Sequence, residues 1–354
     1  MTSLKKVAIL FRDHRLDQIG NTLRFGYHAF RRFPRVRLPY DPLWLILLVT
    51  IRCNLRCRFC QIWGPNTRRK RPSFQDMNPD TLQQILDRFP RTIAVDFAGG
   101  EPFANPHLFE MARLVQERRI KAHVVTNGTL LPDKLDALLE TPFEFVNISL
   151  YGPDAETFAK VTGSSTSVFD DMVKAVAELC RRRRPGGFPR TIRASFICSK
   201  DNLELVPDLI RLCEKLGVDQ VKLKNLHIRD MPGLDTQSLY EDDRDARDFV
   251  ARLQRRRFCV PVFVPRLFRR DYNPRRCLMP FRTLPVDGDG SIGLCCVRGT
   301  AKRWGNALEE PGIWNGRSMV DARHELLDPT CPLPDVCLDC EEMVPKRPQC
   351  GHWQ

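Results

Sequence analysis

The sequence predicts an α/β protein built on a parallel sheet, with a small cysteine-rich domain at its C-terminal end. Three observations carry this expectation. From residue 43 onward, short apolar runs rich in β-formers alternate with segments of helical period, the pattern of βα units. The residues with unusual chemistry fall where those strands should end, as ligand-binding groups do in parallel α/β sheets. After residue 225 the alternation weakens and gives way to a tail rich in Cys and Pro.

Residues 1–42 are expected to form an N-terminal extension, in which "FGYHAFRRFP" suggests a short amphipathic helix that caps the sheet or touches a membrane surface. The first strand is expected at 44–51, where "LWLILLVTI" is bounded by Pro42 and Arg52 and is too short to span a bilayer. Further strands are expected at 91–97, 121–125, 144–150, 191–197 and 219–224. Between them lie helical stretches such as "NPDTLQQILDRF", "NPHLFEMARLVQERR" and "NLELVPDLIRLCEKLG", several opened by Asn, Ser or Pro and one closed by Gly217. Six such units make either a partial barrel or an open doubly wound sheet. A boundary is placed near 270, giving a core over 43–270 and a tail domain over 271–354.

The composition, 354 residues with 42% hydrophobic and 9% aromatic, supports a sizeable core and excludes wholesale disorder. No apolar run reaches membrane-spanning length and the first residues lack a secretory pattern, so the cytoplasm is the expected compartment. The net charge of +13 is concentrated in runs such as Arg181 to Arg184 and Arg255 to Arg257, which suit helix C-termini. The same charge also suits an anionic substrate, acidic lipid or nucleic acid, although no aromatic-interleaved basic motif favours nucleic acid.

Of the 14 cysteines, Cys180, Cys198, Cys213 and Cys259 stand alone and carry no assigned role. Cys53, Cys57 and Cys60 follow the first strand as "CNLRCRFC". Such a set can hold three corners of a [4Fe-4S] cubane and leave one iron open to a small molecule. Zinc is the competing reading, but a structural zinc site takes four ligands and no nearby Cys or His completes this set.

"CNLRCRFC" resembles the CxxxCxxC signature of radical S-adenosylmethionine (radical SAM) enzymes, with Phe59 before the last cysteine. "GGEP" (Gly99, Gly100, Glu101, Pro102) resembles the second-strand loop of that family, "TNG" around Asn127 the third-strand end, and "NISLYGPD" around Ser149 the common SLDG segment, with Tyr151 in place of Asp. The resemblance covers about residues 44–225. It implies a partial (β/α)6 barrel, a [4Fe-4S] cluster held by Cys53, Cys57 and Cys60, and S-adenosyl-L-methionine bound by Gly99, Gly100, Glu101, Pro102, Asn127 and Ser149. Reductive cleavage of that cofactor yields a 5′-deoxyadenosyl radical. Glu101 either holds the cofactor ammonium or caps the following helix. Related enzymes often carry an arginine after the fourth strand; here Lys160 occupies the region, a point charge without the bidentate fork. Ser195 is a further candidate for ribose contact.

The tail resembles the SPASM and Twitch extensions of radical SAM enzymes, through Gly290 five positions before Cys295 and the Cys337/Cys340 pair. The resemblance implies one auxiliary [4Fe-4S] cluster on Cys277, Cys295, Cys337 and Cys340. Cys296, Cys331 and Cys350 do not match the spacing of a second auxiliary cluster, His352 receives no role, and a zinc ribbon is the competing reading of the tail.

The expected function is hydrogen abstraction from a small, carbohydrate-like or anionic substrate, by oxidation or epimerisation, with flavodoxin or ferredoxin as electron donor. The alternatives are a peptide or protein maturase and, in another class, a noncatalytic metal-binding module that docks nucleic acid or membrane. No general base or other catalytic side chain is identifiable.

Overall fold

A computed structural model describes residues 14–65, 75–227, 233–234, 236–270, 277–295, 304–338 and 340. Eight parallel strands form one sheet: β1 (Trp44–Thr50), β2 (Ala94–Gly99), β3 (Lys121–Thr126), β4 (Phe143–Ser149), β5 (Thr191–Cys198), β6 (Gln220–Asn225), β7 (Val262–Phe263) and β8 (Thr283–Asp287). Their order is β7-β6-β5-β4-β3-β2-β1-β8, a linear array, so the sheet is an open partial barrel. The first six match the expected strands to within a few residues.

The crossovers are helical: α1 (Leu16–Phe30) precedes the sheet, followed by α2 (Pro79–Arg88), α3 (Leu108–Glu117), α4 (Leu131–Glu140), α5 (Ala155–Thr162), α6 (Thr166–Arg182), α7 (Val206–Leu216), α8 (Arg244–Arg255) and α9 (Arg317–Leu327). Local chemistry sets their ends. Asn78 accepts a hydrogen bond from the Thr81 N–H at the start of α2, with Pro79 in the first turn. Asp154 does the same for α5 through Thr157 N–H, and Gly163 closes that helix at φ 71°.

Strand alternation then separates two faces. Leu45, Leu47 and Val49 of β1 are fully buried in the main core, with Leu82, Ile85 and Leu86 of α2 in the same cluster. Burying each such side chain contributes about 1.5–3 kcal/mol. Trp44, Ile46 and Leu48 point to the other face and are only half-buried. On that face lie Asp96 of β2, His123 of β3, Arg193 of β5 and Lys224 of β6. The helices therefore cover one side, and the other side carries charge.

Two strands were not expected. β8 contains Pro285, which argues against a central strand; it pairs with β1 as the last strand of the sheet order, and among the described residues its outer side meets only the isolated antiparallel bridge of Val286 with Ile292. All five of its residues are buried. β8 lies beyond the boundary expected near 270, so the tail contributes a strand to the core sheet. β7 is two residues long, below what periodicity detects.

Helix α1 lies against the segments that lead into the strands. Gln18 donates to the Thr92 carbonyl at 2.9 Å, and Asn21 donates to the Asp41 and Arg91 carbonyls at 3.1 Å each. It thus caps the end of the sheet opposite the strand C-termini. The tail is tied back by Arg323 of α9, which is fully buried. Its guanidinium donates to the carbonyls of Pro280 (2.9 Å) and Trp314 (2.8 Å) and lies 4.0 Å from the Trp314 ring centroid. No helix among the described residues is long and apolar enough to cross a membrane.

Candidate functional site

The chain leaving β1 is held on both sides. Thr50 donates its hydroxyl to Asp76 at 2.6 Å, and the Arg56 and Arg58 N–H groups donate to the carbonyls of Thr162 and Val161, at the end of α5. These two amides flank Cys57 and fix its position. Electrostatic interactions among Cys53, Cys57 and Cys60 show that the backbone brings the three thiols together.

Each sulfur also meets a hydrogen-bond donor. The Asn127 amide points at Cys53 Sγ (3.8 Å), the Trp63 N–H at Cys60 Sγ (3.2 Å), and the Tyr151 hydroxyl at Cys57. Burial raises the Cys53 thiol, and it pushes Cys57 up to about 12, with Cys60 and Cys53 adding to the shift. Donors poised for anionic sulfur, with burial disfavouring the thiolate at Cys53 and Cys57, fit a site completed by a metal's positive charge. The trio fits an iron–sulfur cluster on those grounds.

The "GGE" loop packs onto this segment. Gly100 N–H donates to the Thr50 carbonyl and Glu101 N–H to the Arg52 carbonyl, both at 2.7 Å. A Cβ on Gly99, whose φ is +125°, would lie 2.3 Å from the Thr50 oxygen, and one on Gly100 would lie 2.2 Å from the Arg52 oxygen. The glycines are therefore required by the approach of backbone to backbone. Glu101 is fully buried; it accepts from Phe103 N–H (3.0 Å) and Thr126 hydroxyl (2.7 Å) on one oxygen and from Asn127 N–H (2.7 Å) on the other. Glu101 thus caps the short 3-10 turn that begins with Pro102.

Asn127 continues the chain of contacts, donating to Asn54 at 3.0 Å and accepting from the Thr129 N–H and hydroxyl. Thus Glu101, Asn127 and Cys53 form one connected set from β2 through β3 to the thiol loop. Ser149 ends β4 in register with Ser195, whose hydroxyl accepts from Asn147 at 2.9 Å. Lys160 lies on an exposed face of α5. Sequence reasoning missed the donors Trp63 and Tyr151. Tyr151 was visible only as a departure from the SLDG pattern, and nothing local marks Trp63.

On the charged face, Asp96 contacts His123 at 3.0 Å, and Arg193 covers the Phe145 ring at 4.3 Å. Lys224 is pushed down to about 8, first by burial and then by Lys222 and Arg193, with Asp96 opposing. In the tail, Cys277 interacts electrostatically with Cys295, Cys340 and Cys337, and its thiol is raised chiefly by burial. Gly290, at φ +82°, turns the chain before Cys295 where a Cβ would strike Leu308 and Asn306. Four thiols from three separate stretches therefore converge. Cys296, Cys350 and His352 lie outside the described residues.

Residues 47–213 match the Radical SAM superfamily, and the chain carries a domain of that superfamily, whose members bind a [4Fe-4S] cluster and S-adenosylmethionine. The chain is 31% identical over 191 residues to the tungsten-containing aldehyde ferredoxin oxidoreductase cofactor-modifying protein of Pyrococcus furiosus, covering 52% of this chain and 51% of that protein. It is 28% identical over 188 residues to the PqqA peptide cyclase of Rhodopseudomonas palustris, covering 52% and 47%. The chain thus spans about half the length of these curated relatives. The crystal structure of Streptococcus suis SuiB bound to precursor peptide SuiA shares the fold, with a TM-score of 0.64 at 16% identity over 85% of this chain and 71% of that one.

Proposed function

We propose that this protein is a radical SAM enzyme that modifies a peptide or protein substrate. The observation that carries the reading is the convergence of Cys53, Cys57 and Cys60 at the strand C-termini of a fold shared with a peptide-bound enzyme. The name of one relative, PqqA peptide cyclase, points the same way. The relatives favour this substrate class over the small carbohydrate-like or anionic molecule expected from the sequence.

In this reading Cys53, Cys57 and Cys60 hold the [4Fe-4S] cluster. Gly99, Gly100, Glu101, Pro102, Asn127 and Ser149 shape the S-adenosylmethionine site, Glu101 by fixing the Asn127 backbone. The cluster and cofactor supply the radical chemistry when bound, and an electron donor such as flavodoxin or ferredoxin supplies the reducing equivalent. The protein's own part is to position the substrate hydrogen and exclude solvent. Lys224 and Arg193 place positive charge on the open face of the sheet, suited to an acidic side chain or terminal carboxylate of the substrate. Cys277, Cys295, Cys337 and Cys340 hold an auxiliary [4Fe-4S] cluster.

The test is anaerobic reconstitution followed by incubation with S-adenosylmethionine, dithionite and a pooled library of precursor-type peptides, read by mass spectrometry and 5′-deoxyadenosine release. Peptide-dependent release with a matching mass change is expected, and Cys57→Ala abolishes both. Release stimulated only by nucleotides or sugars defeats the peptide reading; undiminished release by Cys57→Ala defeats the cluster assignment. About eight irons per chain is the expected load, whereas about four with one zinc makes the tail a ribbon.

A further inference from the structure

The last turn of α9 and the turn after it bring together three donors that the preceding function does not use. His324 and Asp328 are four residues apart on one helix face, and the chain then turns so that Cys331 N–H donates to the Asp328 carbonyl. One ligand atom from each of the three side chains lies within 4.8 Å of the other two. Cys331 Sγ stands 3.7 Å from His324 Nδ1, and Asp328 Oδ2 stands 3.9 Å from His324 Nε2.

The separation of Cys331 from His324 is close to that in a tetrahedral site. Zinc bonds of about 2.0–2.1 Å to nitrogen and about 2.3 Å to sulfur place the two donors about 3.6 Å apart at the tetrahedral angle. One imidazole nitrogen binds the ion; the thiol faces Nδ1 and the carboxylate faces Nε2, so binding draws one of them toward the nitrogen the other already meets. The turn is preorganised: Asp328 Oδ1 accepts from the Thr330 N–H (2.8 Å) and hydroxyl (2.7 Å), which orients the carboxylate. The site also sits at a helix C-terminus, whose dipole favours a cation.

We propose that His324, Asp328 and Cys331 form a binding site for a borderline divalent cation of the zinc class, separate from the thiols at Cys277, Cys295, Cys337 and Cys340. One nitrogen, one carboxylate and one thiolate leave a fourth position to solvent. Cys331 is then a ligand with its own metal, which explains why its spacing fits no second auxiliary cluster.

The test uses the anaerobically reconstituted full chain, incubated with zinc sulfate, passed through a desalting column and analysed for zinc, iron and sulfide. Wild type is expected to retain about one more zinc per chain than Cys331→Ser or His324→Gln, with iron and sulfide unchanged in all three. Asp328→Asn keeps the acceptor for Thr330 but loses the charge, and is expected to bind at least tenfold more weakly in a competition titration against a zinc chelator. Equal zinc in wild type and both ligand variants overturns the proposal. Loss of iron and sulfide from Cys331→Ser also overturns it, because that places the thiol on a cluster.

Discussion

Replacing Glu101 with Gln tests whether one buried carboxylate assembles the site. The wild-type side chain accepts two hydrogen bonds on one oxygen and one on the other, two of the three donors being backbone N–H groups that cannot turn away. Glutamine has a single oxygen, so its amide must face either Asn127 N–H or Phe103 N–H. An unsatisfied buried donor costs about 1–3 kcal/mol, and loss of charge weakens the surviving bonds further. Against this, the neutral amide escapes the desolvation that raises the Glu101 pKa. At neutral pH the variant is expected to be less stable by about 1–3 kcal/mol, measured by urea unfolding of the metal-free chain.

The pH dependence separates these effects. Since the folded pKa is raised, the native state holds the Glu101 proton longer than the unfolded chain does. The wild type's advantage over Glu101→Gln is thus fullest below the unfolded carboxyl pKa and shrinks as pH rises through the folded one. An advantage that grows with pH would show that the three donors outweigh burial, and equal stability at every pH would remove Glu101 as the organiser of Asn127.

Further expectations follow from the same contacts. Lys224→Met removes an ammonium whose pKa falls from 10.5 to about 8, and should stabilise the protein at pH 7 by no more than about 3 kcal/mol. Wild-type stability should rise between pH 8 and 10.5 as the penalty on the folded lysine is relieved, while the Met variant lacks that rise; a less stable variant at pH 7 refutes the account. Gly100→Ala forces a Cβ onto the Arg52 carbonyl and should displace the loop after β1, lowering cluster iron measured after reconstitution; wild-type iron with unchanged stability counts against that packing. Arg323→Lys loses the fork that reaches the Pro280 and Trp314 carbonyls, and should cost about 2–4 kcal/mol in thermal or chemical unfolding.

The parts of the fold visible from sequence were those with local signals. The run ending at Thr50, the Asn78 cap and Gly217 each mark an element within a few positions. The cysteine spacing marks the site because all three thiols come from one loop. What escaped depends on distant partners. "TLPVD" becomes a strand because β1 offers it an unpaired edge about 240 positions away, and Pro285 argues against it locally. Tyr151 matters because the fold carries its hydroxyl from beyond β4 onto Cys57 in the loop after β1. The double glycine stands out in the sequence, but the atoms that require it, the carbonyls of Thr50 and Arg52, belong to another strand end.

The pairing of β1 with β8 also sets an order of events in time. Trp44 finds its partner Thr283 about 240 positions later, among the longest-range contacts in the sheet. A chain emerging from the ribosome has already made the loop with Cys53, Cys57 and Cys60 while one side of the strand that carries it still has an open ladder. That edge closes only when residues 283–287 have been synthesised. A chain truncated before β8 is left with an aggregation-prone edge beside the loop of Cys53, Cys57 and Cys60.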